Sequence, residues 1–222
     1  RGSMSPSILC RRRGLTLARV VAVAALFALA PVAESQTPQP FKRFPAVSVS
    51  DAKSALAVRD AFLGDMDDLH DKVIALARAI PEDKYDWRPT PEVRTVGNVL
   101  IHMAMAWYFV LPAAVGGKMT TDWPDFPEAR TKLSAITAKR DVLDQVERAW
   151  GYARNEVTAA TAAQLTAARP DSTLRTVKLP LPPPMRLTAL TAMSWQAGDS
   201  HEHRGQLITY ARSVGVVPPW SR

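Results

Sequence analysis

Four separate stretches of this 222-residue chain carry apolar residues every three or four positions, and each stretch is bounded by residues that start or break helices. That spacing is the period of one helix face. Four such faces, with no other substantial element between them, restrict the chain to helices packed on helices. The first stretch starts at Ser50 or Asp51, either of which can cap free amides. Its stripe is Leu56, Leu63, Met66, Val73, Ile74 and Ala77, and Pro81 ends it. Residues 81–91 form a turn-rich connection. The second helix is expected over residues 95–114, with Thr95 as its cap and Gly116-Gly117 as its stop. Residues 118–130 read as loop, broken by Pro124 and Pro127. The third helix is expected over 131–160, with Leu133, Ile136, Val142, Leu143, Val146 and Trp150 as its stripe. An irregular stretch follows over 161–185. It holds a β-like run, 173–181, that suits either a small hairpin or extended chain, and then Pro182-Pro183-Pro184. The fourth helix is expected over 187–214, stopped by Gly215 and closed off by Pro218-Pro219. The expected fold is therefore all-α: a four-helix bundle of antiparallel type, with a long irregular connection before the last helix. That long connection argues against a simple up-down-up-down order. No internal repeat is present.

The first 50 residues lie outside this pattern. Arg1-Gly2-Ser3 precedes Met4 and reads as a vector-derived remnant, and residues 4–35 read as a signal peptide. Arg11, Arg12, Arg13 and Arg19 form a basic region ahead of an apolar run over 20–30, and Ala33 and Ser35 stand three and one positions before Gln36. The run falls well short of the ~20 residues of a membrane-anchored helix, so no stable span is expected after processing. Arg12-Arg13 leaves open whether export is of the general or the twin-arginine kind. Residues 36–50 read as an extended, proline-punctuated leader, and 51–222 as the bundle domain. The expected location is the periplasm or the medium.

Processing also changes the charge argument. The whole chain is formally +7, but residues 1–35 hold five Arg and one Glu, which leaves 23 basic and 20 acidic residues, a net +3. With no basic stripe interleaved with aromatics, a nucleic-acid partner is not expected. Cys10, the single cysteine, leaves with the signal. Cysteine catalysis and Cys-type zinc sites are thereby excluded.

The four histidines are His70, His102, His201 and His203. At 100° per residue His102 shares a mostly apolar face with Thr95, Asn98, Val99, Ala106, Phe109 and Ala113, which points it into the bundle. His203 shares its face with Ala192, Gln196, Asp199, Leu207, Tyr210 and Val214. Asp199 lies one turn before His203, at a spacing that lets two side chains grip one ion. His201 is turned away. Two inward imidazoles and a carboxylate make a three-donor site for Zn, Ni or Fe with open positions. Gln206 is placed to orient a water there, and Tyr210 is a more distant proton-donor candidate. The bland alternative makes His102 and His203 hydrogen-bonded core residues. A buried Asp199 needs a counter-charge in either case, from a metal, protonated His203 or Arg204. His70 sits on its own apolar stripe and reads as core.

Other features read as structural. Asp65-Met66-Asp67-Asp68 scatters its carboxylates around a helix axis, and Trp107 and Trp150 lie in helical runs as packing residues. Ser200 and His203 do not make a nucleophile–base pair, because no acid stands behind the imidazole. Phosphate loops, dinucleotide fingerprints and nucleophile elbows are missing from the sequence.

Two stretches resemble the DinB-like family of four-helix-bundle proteins. The first runs from Ala77-Arg78-Ala79-Ile80-Pro81 through Tyr85-Asp86-Trp87-Arg88-Pro89 to Val93-Arg94-Thr95-Val96-Gly97 and Ile101-His102. The second runs from His201-Glu202-His203-Arg204-Gly205-Gln206-Leu207 through Tyr210-Ala211-Arg212 to Gly215-Val216-Val217-Pro218-Pro219. The resemblance implies a divalent metal on three His, one from the second helix and an HxxxH pair from the fourth. His102 and His203 match two of these, while Asp199 stands at the third and makes the pattern DxxxH. It also implies a homodimer paired through helices. Thiol-dependent transferases and an isomerase occur among such relatives, but thiol cofactors are scarce outside the cytoplasm, so that activity is not expected of an exported chain. The reading is an exported bacterial metal-dependent hydrolase or transferase acting on a small-molecule substrate. The alternative is a non-catalytic binding or structural bundle of the cell envelope.

Overall fold

A computed structural model describes residues 49–116, 120–123, 125–167 and 188–221. The expected signal peptide, all but the end of the leader, the 173–181 run and Pro182-Pro183-Pro184 lie outside the described residues. Among the described residues every regular element is helical: α1 (Ala52–Ala79), α2 (Val96–Val115), α3 (Phe126–Ser134), α4 (Lys139–Ala159), α5 (Ala162–Thr166) and α6 (Ala189–Ser213), with short 3-10 turns at Glu82–Lys84 and Pro219–Ser221.

The helix ends follow from local chemistry. Asp51 accepts the Ser54 amide at 2.8 Å to start α1, and the Thr95 hydroxyl accepts the Asn98 amide at 3.2 Å to start α2. Gly116, at φ 72, closes α2 in the left-handed conformation that glycine adopts without strain. After α6, the Gly215 amide reaches the Arg212 carbonyl and the Val216 amide the Ala211 carbonyl. With Gly215 at φ 82, this is a Schellman closure.

The expected third helix, 131–160, is corrected to two helices. α3 begins at Phe126, inside the segment read as loop, because the Asp125 carboxylate accepts the Glu128 amide at 2.9 Å. Pro127 falls in its first turn, where a missing N–H is harmless. α3 ends at Ser134, and β-branched Ile136 and Thr137 sit in the break before α4. A second correction concerns the stretch after residue 160. Thr161 and Gln164 form a reciprocal capping box, and the single-turn helix α5 follows it.

Inter-helix contacts fix the order in space. Lys139, at the start of α4, donates to the Arg78 and Ile80 carbonyls at the end of α1 (2.7 and 2.6 Å). Arg59, near the start of α1, donates to the Thr158 and Ala160 carbonyls at the end of α4 (both 3.2 Å). α1 and α4 are therefore antiparallel, and each supplies a cation to the other's unsatisfied C-terminal carbonyls. α2 meets α6 antiparallel, with His102 opposite His203 and Trp107 donating to Ser200 (3.1 Å). It meets α4 running the same way, through Trp107 against Trp150 and Tyr108 against Tyr152. The result is an up-down-down-up bundle in which α1 and α2 stand at opposite corners.

This arrangement buries α2 almost completely. It is long and apolar enough to cross a membrane, yet neighbouring helices cover it. Only Asn98, His102 and Ala106 escape full burial, and these lie four residues apart on a single stripe. Leu100, fully buried on α2, is a test of the packing. Leu100→Ala is expected to cost about 2–5 kcal/mol in urea denaturation, whereas Val58→Ala, at an exposed α1 position, is expected to stay within about 0.5 kcal/mol.

Candidate metal centre

α6 supplies two of the three candidate donors because Asp199 and His203 are one turn apart on the side facing α2. The antiparallel crossing sets His102 against them. One donor atom from each of His102, Asp199 and His203 lies within 4.8 Å of the other two. The two imidazole centroids are 4.8 Å apart with the rings edge to face at 83°. His203 Nε2 is 3.6 Å from Asp199 Oδ1. Donors around an ion bound at ~2 Å stand roughly 3 Å from one another, so shifts of about 1 Å would close this set on a divalent cation. A nitrogen–nitrogen–oxygen donor set suits Zn, Ni or Fe, and the residues present fit such an ion.

The cluster is half-buried, not deep. His102 was expected to point into the bundle interior, but it lies on the one unsealed stripe of α2, in the groove towards α6. His203 retains 13% and Asp199 26% side-chain exposure, which leaves a side open to a water or a ligand.

Burial, then the nearby Arg94 and His203 charges, hold His102 down at about 4, so its imidazole is neutral at neutral pH and free to donate a lone pair. Burial also pushes the Asp199 carboxyl above its ordinary range, with Glu202 acting in the same sense. His203 and Arg94 oppose that shift. Arg94 thus supplies the positive field for which Arg204 was considered. It was missed because it lies in the connection before α2, although it falls within the Val93-Arg94-Thr95 motif. Helical periodicity says nothing about such a position.

Hydrogen bonds hold the α6 donors from behind. His203 Nδ1 donates to Gln206 Oε1 at 3.1 Å, and Gln206 Nε2 donates to the Tyr210 hydroxyl at 2.8 Å. The Tyr210 ring meets Trp87 edge-on at 5.4 Å. Gln206, expected to orient a water, and Tyr210, expected as a distant proton donor, are here joined to His203: the Gln206 amide meets His203 at one end and Tyr210 at the other. On the other side, Gln196 Nε2 donates to Ser200 Oγ at 3.2 Å and lies 3.5 Å from Asp199 Oδ2. Trp107 Nε1 donates to the same Ser200 oxygen, which makes Ser200 a structural anchor.

The remaining histidines are elsewhere. His201 bonds Asp65 of α1 at 2.8 Å. His70 lies half-buried among Trp107, Trp150 and Glu147, its ring stacked on Trp150 at 6.3 Å. The acidic run on α1 is scattered as expected: Asp65 goes to His201, Asp67 to Trp150 and Arg154, and Asp68 to Lys72.

A model of the DinB superfamily matches residues 65–207 of the chain, a span that includes all three candidate donors. No curated protein matches it.

The depressed His102 basicity has a consequence for the metal-free protein. Between its ordinary 6.5 and about 4, the unfolded chain binds a proton that the folded chain refuses. Folding stability therefore falls as pH drops through that window. Asp199, raised by burial, acts in the opposite sense over its own window. The thermal midpoint of apo protein is expected to fall on acidification across this range, and to fall less in His102→Gln. Identical pH dependence in both proteins would contradict the assignment.

Proposed function

The chain belongs to the DinB superfamily, and from the cluster between α2 and α6 we propose that it is an exported enzyme of hydrolase or transferase type that uses a divalent metal on a small-molecule substrate. The observation that carries this reading is the convergence of His102, Asp199 and His203 within 4.8 Å. A Zn, Ni or Fe ion supplies a Lewis acid when bound, and lowers the pKa of a water beside it.

The chain's own residues do the rest. Two neutral imidazoles and one carboxylate leave a divalent ion with net positive charge, which favours an anionic or carbonyl oxygen on the open side. Arg94 adds to that field. Burial of the α2 flanks confines access to the Asn98–His102–Ala106 stripe, so a ligand reaches the cluster along the groove between α2 and α6.

The Asp199–His203 distance of 3.6 Å also supports a second reading, a non-catalytic bundle in which these residues are a partly buried ion pair. Metal loading separates the two. Protein purified without chelator and supplied with Zn²⁺, Ni²⁺ or Fe²⁺ is expected to retain about one equivalent; less than about half an equivalent favours the second reading. Metal in hundredfold excess over Kd should stabilise the wild type by about 3 kcal/mol. His203→Ala should abolish that increment while remaining folded. In the second reading His203→Ala lowers stability with no metal dependence in either protein.

Export rests on the basic and apolar character of residues 11–30. Expressed with this leader in a bacterium, the protein is expected in the periplasm or the medium with Gln36 at its N-terminus. Recovery of an unprocessed cytosolic chain would overturn that part of the proposal.

A further inference from the structure

We propose that Gln206 is a positioning residue that decides which nitrogen of His203 carries the proton, and thereby whether the cluster accepts a cation. The inference rests on the metal reading above and extends it to a side chain that touches no ion.

A neutral imidazole has one N–H and one lone pair, and a ligand must turn the lone pair towards the metal. His203 turns Nε2 towards Asp199, at 3.6 Å, and Nδ1 towards Gln206 Oε1, at 3.1 Å. The Gln206 carbonyl can only accept, so it holds the proton on Nδ1 and leaves Nε2 free. An amide has two faces, however. Reversed, Gln206 would present its N–H to Nδ1 and drive the proton to Nε2, where a cation would have to displace it.

The other end of the amide is held one bond further out. Gln206 Nε2 donates to the Tyr210 hydroxyl at 2.8 Å. Tyr210 is buried, and its ring is braced edge-on against Trp87 at 5.4 Å. The Trp87 carbonyl accepts the amide of Val96 at 3.0 Å, the first residue of α2. The chain of contacts thus starts at a donor on α6 and ends at the N-terminus of the helix that carries His102. Groups that hold the remote nitrogen of a ligating imidazole in this way typically matter 10- to 100-fold in metal affinity.

The test uses the full chain, ¹⁵N-labelled and metal-free, in mildly alkaline buffer. Imidazole ¹⁵N spectra report the tautomer, and competition titration with Zn²⁺ reports affinity. Wild type is expected to show His203 protonated at Nδ1. Gln206→Leu is expected to lose that preference and to bind Zn²⁺ about 10- to 100-fold more weakly, with unchanged helical content by circular dichroism. Gln206→Glu keeps an acceptor on Nδ1 and is expected to restore both the tautomer and affinity within about threefold of wild type. A merely structural glutamine would not be rescued by this charge-changing substitution. Wild type already protonated at Nε2, Gln206→Leu with either readout unmoved, or Gln206→Glu as weak as Gln206→Leu would each overturn the proposal. If wild type takes up no Zn²⁺, the metal reading fails and this one with it. If wild type binds Zn²⁺ but is indifferent to Gln206, only this one fails.

Discussion

α2 has almost no face to offer water, and that constraint organises the molecule. A helix apolar all round is stable in solution only when neighbours cover its whole circumference. α4 and α6 flank it, α3 adds Phe126 against Phe109, and α1 takes the opposite corner. The sole gap left by this packing is the stripe of Asn98, His102 and Ala106. The candidate centre lies where it does because it occupies that gap. A neutral imidazole tolerates partial desolvation far better than a charged group would.

Desolvation then acts on the two ends of the cluster in complementary ways. It keeps His102 unprotonated and makes the negative charge on Asp199 costly. Both effects favour a cation: one supplies a free lone pair, the other a carboxylate whose charge is relieved by a positive neighbour. Arg94 offsets part of that cost, while Gln196 lies at hydrogen-bonding distance from the second oxygen of Asp199. The hydrogen bonds behind His203 fix the ring without using its inward nitrogen.

Much of the fold was legible from punctuation as well as periodicity. Thr95, Gly116 and Gly215 each stand where a helix begins or ends, and angular sorting separated His203 from His201, which now bonds Asp65 on another helix. The failures were also local. Pro127 reads as a breaker by residue type, but one position after the first residue of a helix it is compatible, and the Asp125–Glu128 spacing was the overlooked signal of the start. The break at 135–138 carries no glycine or proline. It sets Lys139 over the end of α1, a contact that no local pattern announces. Arg94 was invisible to any helical wheel, because its influence on the cluster comes from a connection, not a face.

The exchange of cations between α1 and α4 has a further geometric consequence. Arg59 and Ile80 are 21 positions apart on one helix, and Lys139 and Ala160 are 21 positions apart on the other. Each helix therefore measures the other: a donor near the start and a carbonyl at the finish are matched in span, like two identical rulers laid end for end. A residue added or removed between either pair would put one clasp about 1.5 Å out of step and rotate it by 100°. The lengths of these two helices are thus tied together through their tips, independently of the apolar surface between them.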